Sequence, residues 1–227
     1  MKRLLAAIVV GALAAPAAAD VYVDTAGDVF TGAGGGILDI LSVEVTNDLT
    51  DITFTFTLAG DVNAADWGKY LVMIDTVPGG DTTVPIGNPW NRPITMAEGA
   101  DLWIGTWTDW GGGAQLWDYT GSWNLLHSTP SPNIGFVFGG NTVSVTTKLA
   151  DMGLAVNDTF FFDAFTSGAD GDPGAIDSVG NPNQQVSDWG EHSFAHVVSY
   201  TVIPEPTTLG LLALGAAGLL RRRRSKG

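Results

Sequence analysis

The chain has 227 residues with 24 acidic and 10 basic side chains, a formal charge of −14. Seven of the basic residues lie at the ends (Lys2, Arg3, Arg221, Arg222, Arg223, Arg224 and Lys226), so residues 20–203 set 23 carboxylates against Lys69, Arg92 and Lys148, an excess of 20 negative charges. Such a surface cannot neutralise phosphates, which excludes nucleic acid as a partner and argues against an anionic membrane surface; the absence of cysteine excludes disulfides, Cys-ligated zinc, iron–sulfur clusters and thiol catalysis.

Residues 1–19 read as a secretory signal peptide. Lys2 and Arg3 form a positive start, Leu4 to Ala15 an apolar run, and Ala17-Ala18-Ala19 an A-x-A cleavage site, so the mature chain is expected to begin at Asp20. A short N-terminal signal helix follows from this reading.

The middle alternates with period two. Leu41, Val43 and Val45 alternate with Ser42, Glu44 and Thr46, and Ile52 to Leu58 alternates apolar residues with three threonines. Asn47-Asp48 between them is turn chemistry, which predicts a hairpin. Tyr70 to Asp75 is a continuous apolar run, suited to a strand covered on both faces. Further strands are predicted over Asp101–Thr108, Ala114–Tyr119, Ile134–Phe138, Thr142–Lys148, Thr159–Phe165 and Ser193–Val202, with Gly139-Gly140-Asn141 closing a tight hairpin. Thirty glycines and eleven prolines mark the turns, and helical periodicity is confined to the two ends. Nine or so strands with short connections predict an all-β fold, an antiparallel β-sandwich of jelly-roll type. The content of Trp, Phe, Val and Ile is too high for disorder, and the length suits one domain with a real core.

At the far end, Thr201 to Pro204 reads as a spacer. Ile203-Pro204-Glu205-Pro206 then precedes an apolar run, Leu209 to Leu220, and four arginines. As a helix this run spans roughly 18 Å, against about 30 Å of hydrocarbon. A short hydrophobic helix with its arginines on the cytoplasmic side is a weak stop-transfer segment, suited to transient insertion in the inner membrane. The Pro-Glu-Pro triplet, short apolar helix and terminal Arg cluster resemble the PEP-CTERM sorting signal of Gram-negative bacteria. That resemblance implies recognition at Pro204, Glu205 and Pro206, processing by an exosortase with removal of the tail, and delivery to the cell surface or the extracellular polysaccharide matrix. An ordinary tail anchor is the alternative. The expected organisation is therefore a signal peptide (1–19), a β-sandwich domain (20–203) and a sorting signal (204–227).

Three constellations in the middle could carry chemistry. The first is a set of acidic loops: Asp24-Thr25-Ala26-Gly27-Asp28, then Asp39, Asp75, Asp81, and Asp170-Gly171-Asp172-Pro173-Gly174 with Asp177 behind it. Aspartate outnumbers glutamate 20 to 3 in residues 20–203. Short carboxylates in glycine-rich loops suit calcium, which takes six to eight oxygen ligands, although no EF-hand pattern occurs and Asp also favours turns. The second is tryptophan, with Trp103, Trp107, Trp110, Trp117 and Trp123 close together. Trp107, Asp109 and Trp110 beside a glycine turn offer flat apolar faces and a polar group for sugar rings, while Trp103 and Trp117 read as core. The third is histidine: His192 and His196 share one side of a predicted strand, and with Met73, Met96 or Met152 could ligate a metal or haem. No G-x-S-x-G elbow occurs, so a hydrolase triad has no signature, and no carboxylate pair is singled out for glycoside hydrolysis.

Asp24…Gly27-Asp28, the strand from Asp39, Phe54-Thr55-Phe56, Leu71-Val72-Met73-Ile74-Asp75-Thr76 and Gly79-Gly80-Asp81, with Ile176-Asp177…Gln184-Gln185, resemble DOMON-like β-sandwiches related to family 9 carbohydrate-binding modules. The resemblance implies a calcium-stabilised sandwich that binds sugars, or haem in some branches, with Asp24, Asp28 and Asp39 at the metal-site positions. The chain departs from the pattern after Gly87, where Asn88 to Trp123 has its own Trp-rich composition. The function expected is a secreted, surface-sorted, non-enzymatic β-sandwich associated with extracellular polysaccharide. A polysaccharide-acting glycoside hydrolase and a self-associating structural matrix protein are the alternatives.

Overall fold

A computed structural model describes residues 19–30, 32–83, 87–94, 96, 99–169, 174–189 and 196–204. The signal helix and the C-terminal apolar helix read from the sequence lie outside them, as do Glu205 and Pro206. One sheet has the order β1 (Ala19–Val23), β2 (Ile40–Asn47), β3 (Asp51–Leu58), β9 (Thr142–Lys148) and β8 (Ile134–Gly139). The other has the order β11 (Ala175–Ser178), β10 (Thr159–Ser167), β4 (Lys69–Asp75), β5 (Leu102–Trp107), β6 (Gly113–Tyr119) and β7 (Trp123–Ser128). A last strand, β12 (Val198–Thr201), pairs with β10 on the side away from β4, end to end with β11. Every strand pair is antiparallel. The result is an all-β, two-sheet sandwich of jelly-roll-like build.

The alternation in β2, β3 and β9 divides one face from the other. Val43, Val45, Phe54, Phe56, Val143 and Val145 point inward and are fully buried or nearly so. The intervening hydroxyls meet across the outer face, Thr53 with Thr146 at 2.8 Å and Thr55 with Ser144 at 2.9 Å. Inward residues of the second sheet, among them Tyr70, Val72, Ile74, Ile104, Phe160 and Phe162, close the main core against them. Edge-to-face ring contacts such as Phe54–Phe162, 5.5 Å between centroids, cross that core.

The run in β4 is buried on both faces because Ile94, Met96 and Ala100 of the β4–β5 connection cover the outside of the second sheet. There Leu71, Met73, Trp103 and Phe165 pack with Ile94, Met96 and Ala100 in a separate apolar cluster. Trp103 is thus buried as expected, but outside the main core. Trp117 is only half-buried at the margin of this cluster.

Three strands have no clear alternation in the sequence. β1 is an edge strand whose Val21 and Val23 face solvent while Tyr22 packs inward on Phe162. In β7 both Leu125 and Leu126 are exposed, and a register shift falls opposite them between Leu116 and Trp117. β11 is only four residues long. The last strand is shorter than predicted: it begins at Val198, and His196 lies in irregular chain before it.

The spacer expected over Thr201–Pro204 is the end of the fold instead. Thr201 closes β12, and Val202 is fully buried. The Asn47 side chain grips the next residue from both sides. The Ile203 N–H donates to Asn47 Oδ1 at 2.9 Å, and Asn47 Nδ2 donates to the Ile203 carbonyl at 2.9 Å. Tyr200 Oη donates to the same Oδ1 at 2.7 Å. A buried amide is satisfied by exchanging bonds with a chain that has no ladder partner left. Among the described residues no helix is long and apolar enough to cross a membrane.

Candidate functional site

The turn after β1 brings Asp24 and Asp28 together. Gly27 makes this possible with φ of +79°, a left-handed conformation that costs glycine little. Its N–H donates to Asp39 Oδ2 at 2.9 Å, tying the turn to the start of β2. A parallel bridge between Val29 and Val186, with the Val186 N–H donating to the Asp28 carbonyl at 2.9 Å, holds the turn against the segment that follows β11. From β11 the Asp177 carboxylate enters the same space. It accepts from the Ile40 N–H at 2.6 Å and from its neighbour Ser178 N–H at 2.8 Å.

Carboxylate oxygens of Asp24, Asp28 and Asp177 lie within 4.8 Å of one another. Asp28 is 6 % exposed, and neither of its carboxylate oxygens has a hydrogen-bond partner. Asp24 Oδ2 and Asp39 Oδ1 are likewise buried without a partner. Burial pushes the Asp28 carboxyl up to about 7, reinforced by the charges of Asp24 and Asp39. Burial raises Asp24 to about 6. Burial also raises Asp39 and, with the Asp24 charge, lifts Asp177 well above the carboxylate range. Four acids facing one another out of water repel, so the arrangement favours either protons or a cation.

Of the residues read from the sequence, Asp24 and Asp28 belong to the tight trio and Asp39 stands beside it. Asp177 takes the third place. The sequence marked it as an acidic-loop residue but not as a partner of the first turn, since only the pairing of β11 with β10 brings it there. Asp163 on β10 lies behind, fully buried, with its carboxyl raised by burial to about 7. Unlike the trio it is saturated by the Ser178 hydroxyl and the N–H groups of Gly180 and Ala164. Asp81 sits apart as a turn residue. Burial pushes its carboxyl up, but hydrogen bonds from Thr83, Trp123 and Gly87 outweigh this and hold it below the ordinary value. Asp170 and Asp172 lie outside the described residues.

The tryptophan-rich segment forms a second feature. A cavity of about 340 Å³ opens on the outer face of the second sheet, lined by Lys69, Trp90, Arg92, Trp107, Asp109 and Gln115. Trp90 and Trp107 meet edge to face, 5.8 Å between centroids. Two strand glycines seat them: a Cβ on Gly105 would lie 2.6 Å from the Trp90 ring, and one on Gly113 would lie 2.0 Å from the Trp107 ring. The loop carrying Trp90 is braced by Asn88, whose side chain accepts from the Arg92 N–H at 2.9 Å and donates to the Arg92 carbonyl at 2.6 Å. Lys69 Nζ donates to Asp109 Oδ1 and to the Trp67 carbonyl, each at 2.9 Å. Trp107 and Asp109 were legible as a pair; Trp90, Lys69, Arg92 and Gln115 join them only through the β4–β5 connection and the β4–β5–β6 register. Trp110 does not line the cavity. It is 96 % exposed and held at φ of +56°, where a bulky residue is strained.

Among the described residues the histidine and methionine ligands do not assemble. Met73, Met96 and Met152 are packing residues in the apolar clusters. His192 lies outside the described residues, and His196 is exposed. His127 pairs instead with Asp151, Nε2 to Oδ2 at 2.9 Å.

The PEP-CTERM protein-sorting motif matches residues 202–224. The chain therefore carries the sorting signal read from Pro204, Glu205 and Pro206. It is a secreted protein of a Gram-negative cell surface, processed by an exosortase. The match begins at Val202, inside the fold. No curated protein matches the chain.

Proposed function

We propose that the protein is a non-enzymatic, calcium-stabilised β-sandwich that associates with extracellular polysaccharide after sorting. The observation that carries the calcium reading is the buried, unpartnered carboxylate of Asp28 between Asp24 and Asp177. Calcium is a hard cation that takes carboxylate oxygens in irregular loop geometry. Asp24, Asp28 and Asp177 would hold it, with Asp39 adjacent, and the ion would join the first turn to β11. Two of the three, Asp24 and Asp28, are positions the DOMON-like resemblance implies, and Asp177 stands where it implied Asp39. Thermal unfolding of the secreted protein in calcium and in chelator tests the reading; equal melting temperatures would refute it.

The polysaccharide reading is favoured by the cavity between Trp90 and Trp107. Indole faces with a few fixed polar groups suit a sugar ring. A glycoside hydrolase needs two carboxyl groups flanking the bond. Among the described residues the cavity lining contains one, Asp109, and that one is paired with Lys69. Retention on matrix polysaccharide should be lost in Trp107→Ala while the domain remains folded. Release of reducing ends from a glycan panel would overturn the non-enzymatic reading.

A further inference from the structure

The three cations of residues 20–203 are not scattered. Lys148 pairs with Asp51 at the tail end of the sandwich, while Lys69 and Arg92 both line the cavity beside Trp90 and Trp107. In a domain with 20 negative charges in excess, this is where positive charge concentrates. Among the described residues Asp109 is the one carboxylate of the lining, and it is paired with Lys69.

The polar groups are set for a particular ligand. Gln115 Oε1 accepts from two indole N–H groups, Trp90 at 3.0 Å and Trp117 at 3.1 Å. Two donors on that oxygen fix the amide orientation, so its NH₂ is the group left to donate to a ligand. The Lys69 ammonium has three protons and spends two, on Asp109 and the Trp67 carbonyl. Its side chain is nine-tenths buried, so the third is offered inside the cavity, where a charge-assisted bond is strongest. A fixed amide donor and an ammonium beside two indole faces match a pyranose ring that bears a carboxylate.

We propose that the Trp90–Trp107 cavity binds an acidic sugar, a uronate residue of an extracellular polysaccharide, with its ring against the indoles and its carboxylate toward Lys69 and Gln115. This rests on the polysaccharide-binding reading and narrows it to the charged class. Asp109 holds Lys69 in place and accepts from a ring hydroxyl with its other oxygen. The long-range charge of the domain opposes binding of a polyanion, so recognition depends on close contact within the cavity and not on steering.

The test is calorimetric titration of the secreted protein with tetrasaccharides of galacturonic, glucuronic, mannuronic and guluronic acid, each beside its carboxyl-reduced counterpart. The proposal expects at least one acid to bind about 10- to 100-fold more tightly than its reduced form, the scale of one hydrogen bond to a charged group. Lys69→Met should erase that preference while leaving the weaker binding of the reduced sugar, and Trp90→Ala should remove both. Added salt should weaken the acid and spare the neutral sugar. Equal binding of acid and reduced forms would overturn the proposal and leave the polysaccharide reading standing. No binding of any member would overturn both. Should Lys69→Met fail to fold, Gln115→Glu supplies the second arm: a carboxylate facing the ligand should lower affinity for the acid more than for its reduced form, and equal losses would overturn the proposal.

Discussion

Removing divalent cation from the secreted protein should lower its stability by an amount set by occupancy of the carboxylate cluster. A ligand that binds only the folded state stabilises it by about 2.7 kcal/mol at a hundredfold excess over its dissociation constant. For a domain the size of residues 20–203, about 2–4 °C of melting temperature accompany each kcal/mol. A shift of roughly 5–11 °C between calcium and chelator is therefore expected. Asp28→Asn gives the sharper arm. In chelator it removes one of the charges confined with Asp24, Asp39 and Asp177, and the melting temperature should rise. In calcium it removes a ligand, and the melting temperature should fall. Differential scanning calorimetry at pH 7.5 and fixed ionic strength reads both. The reasoning fails if Asp28→Asn shifts the melting temperature in the same direction and by the same amount with and without calcium.

The metal-free protein should become less stable as pH rises. Asp28 and Asp24 titrate near 7 and 6 in the fold, against 3.8 ordinarily. The folded state thus binds more protons, and its advantage is lost as pH passes through those values. Urea unfolding in chelator should give a lower stability at pH 8 than at pH 5, and calcium should restore most of the difference at pH 8 and little at pH 5. Phe54→Ala opens a cavity in the fully buried core and should lower stability by about 3–5 kcal/mol, whereas Thr55→Ala on the outer face should lose about 1 kcal/mol or less in the same urea assay. Asn47→Ala releases Ile203 and leaves buried groups unpaired, for about 1–3 kcal/mol, and limited proteolysis should then cut near residue 203 faster than in the parent. Gly105→Ala places a methyl group against the Trp90 indole and should shift tryptophan fluorescence and weaken sugar binding.

Much of the sandwich was legible as a sequence because its strands are amphipathic. Ile52 to Leu58 can bury a face only as a strand, and the unbroken apolar run at Tyr70 can be satisfied only by cover on both sides. The sorting signal was legible for a different reason: Pro-Glu-Pro, the apolar run and the arginines act as a local address, read in order along the chain. β1, β7 and β11 escaped because edge strands and short strands bury no regular face. Their pairing comes from neighbours and not from their own pattern.

The candidate sites divide along the same line. Asp24, Asp28 and Asp39 share a local turn chemistry that marks them in the sequence, and Trp107 and Asp109 are neighbours in one segment. Asp177 reaches the first turn only because β11 pairs with β10. Lys69 and Gln115 come together through the β4–β5–β6 register, and Trp90 joins them from the β4–β5 connection. The end of the domain was decided in the same way: Thr201 to Pro204 has the composition of a spacer, yet Asn47, 156 residues away in the chain, holds Ile203 in the fold. Composition and periodicity determined which residues are buried and where the chain is sent, since both depend on local order. Which charged and aromatic side chains face one another was decided by tertiary structure alone, because antiparallel pairing joins residues whose separation in the chain carries no signal.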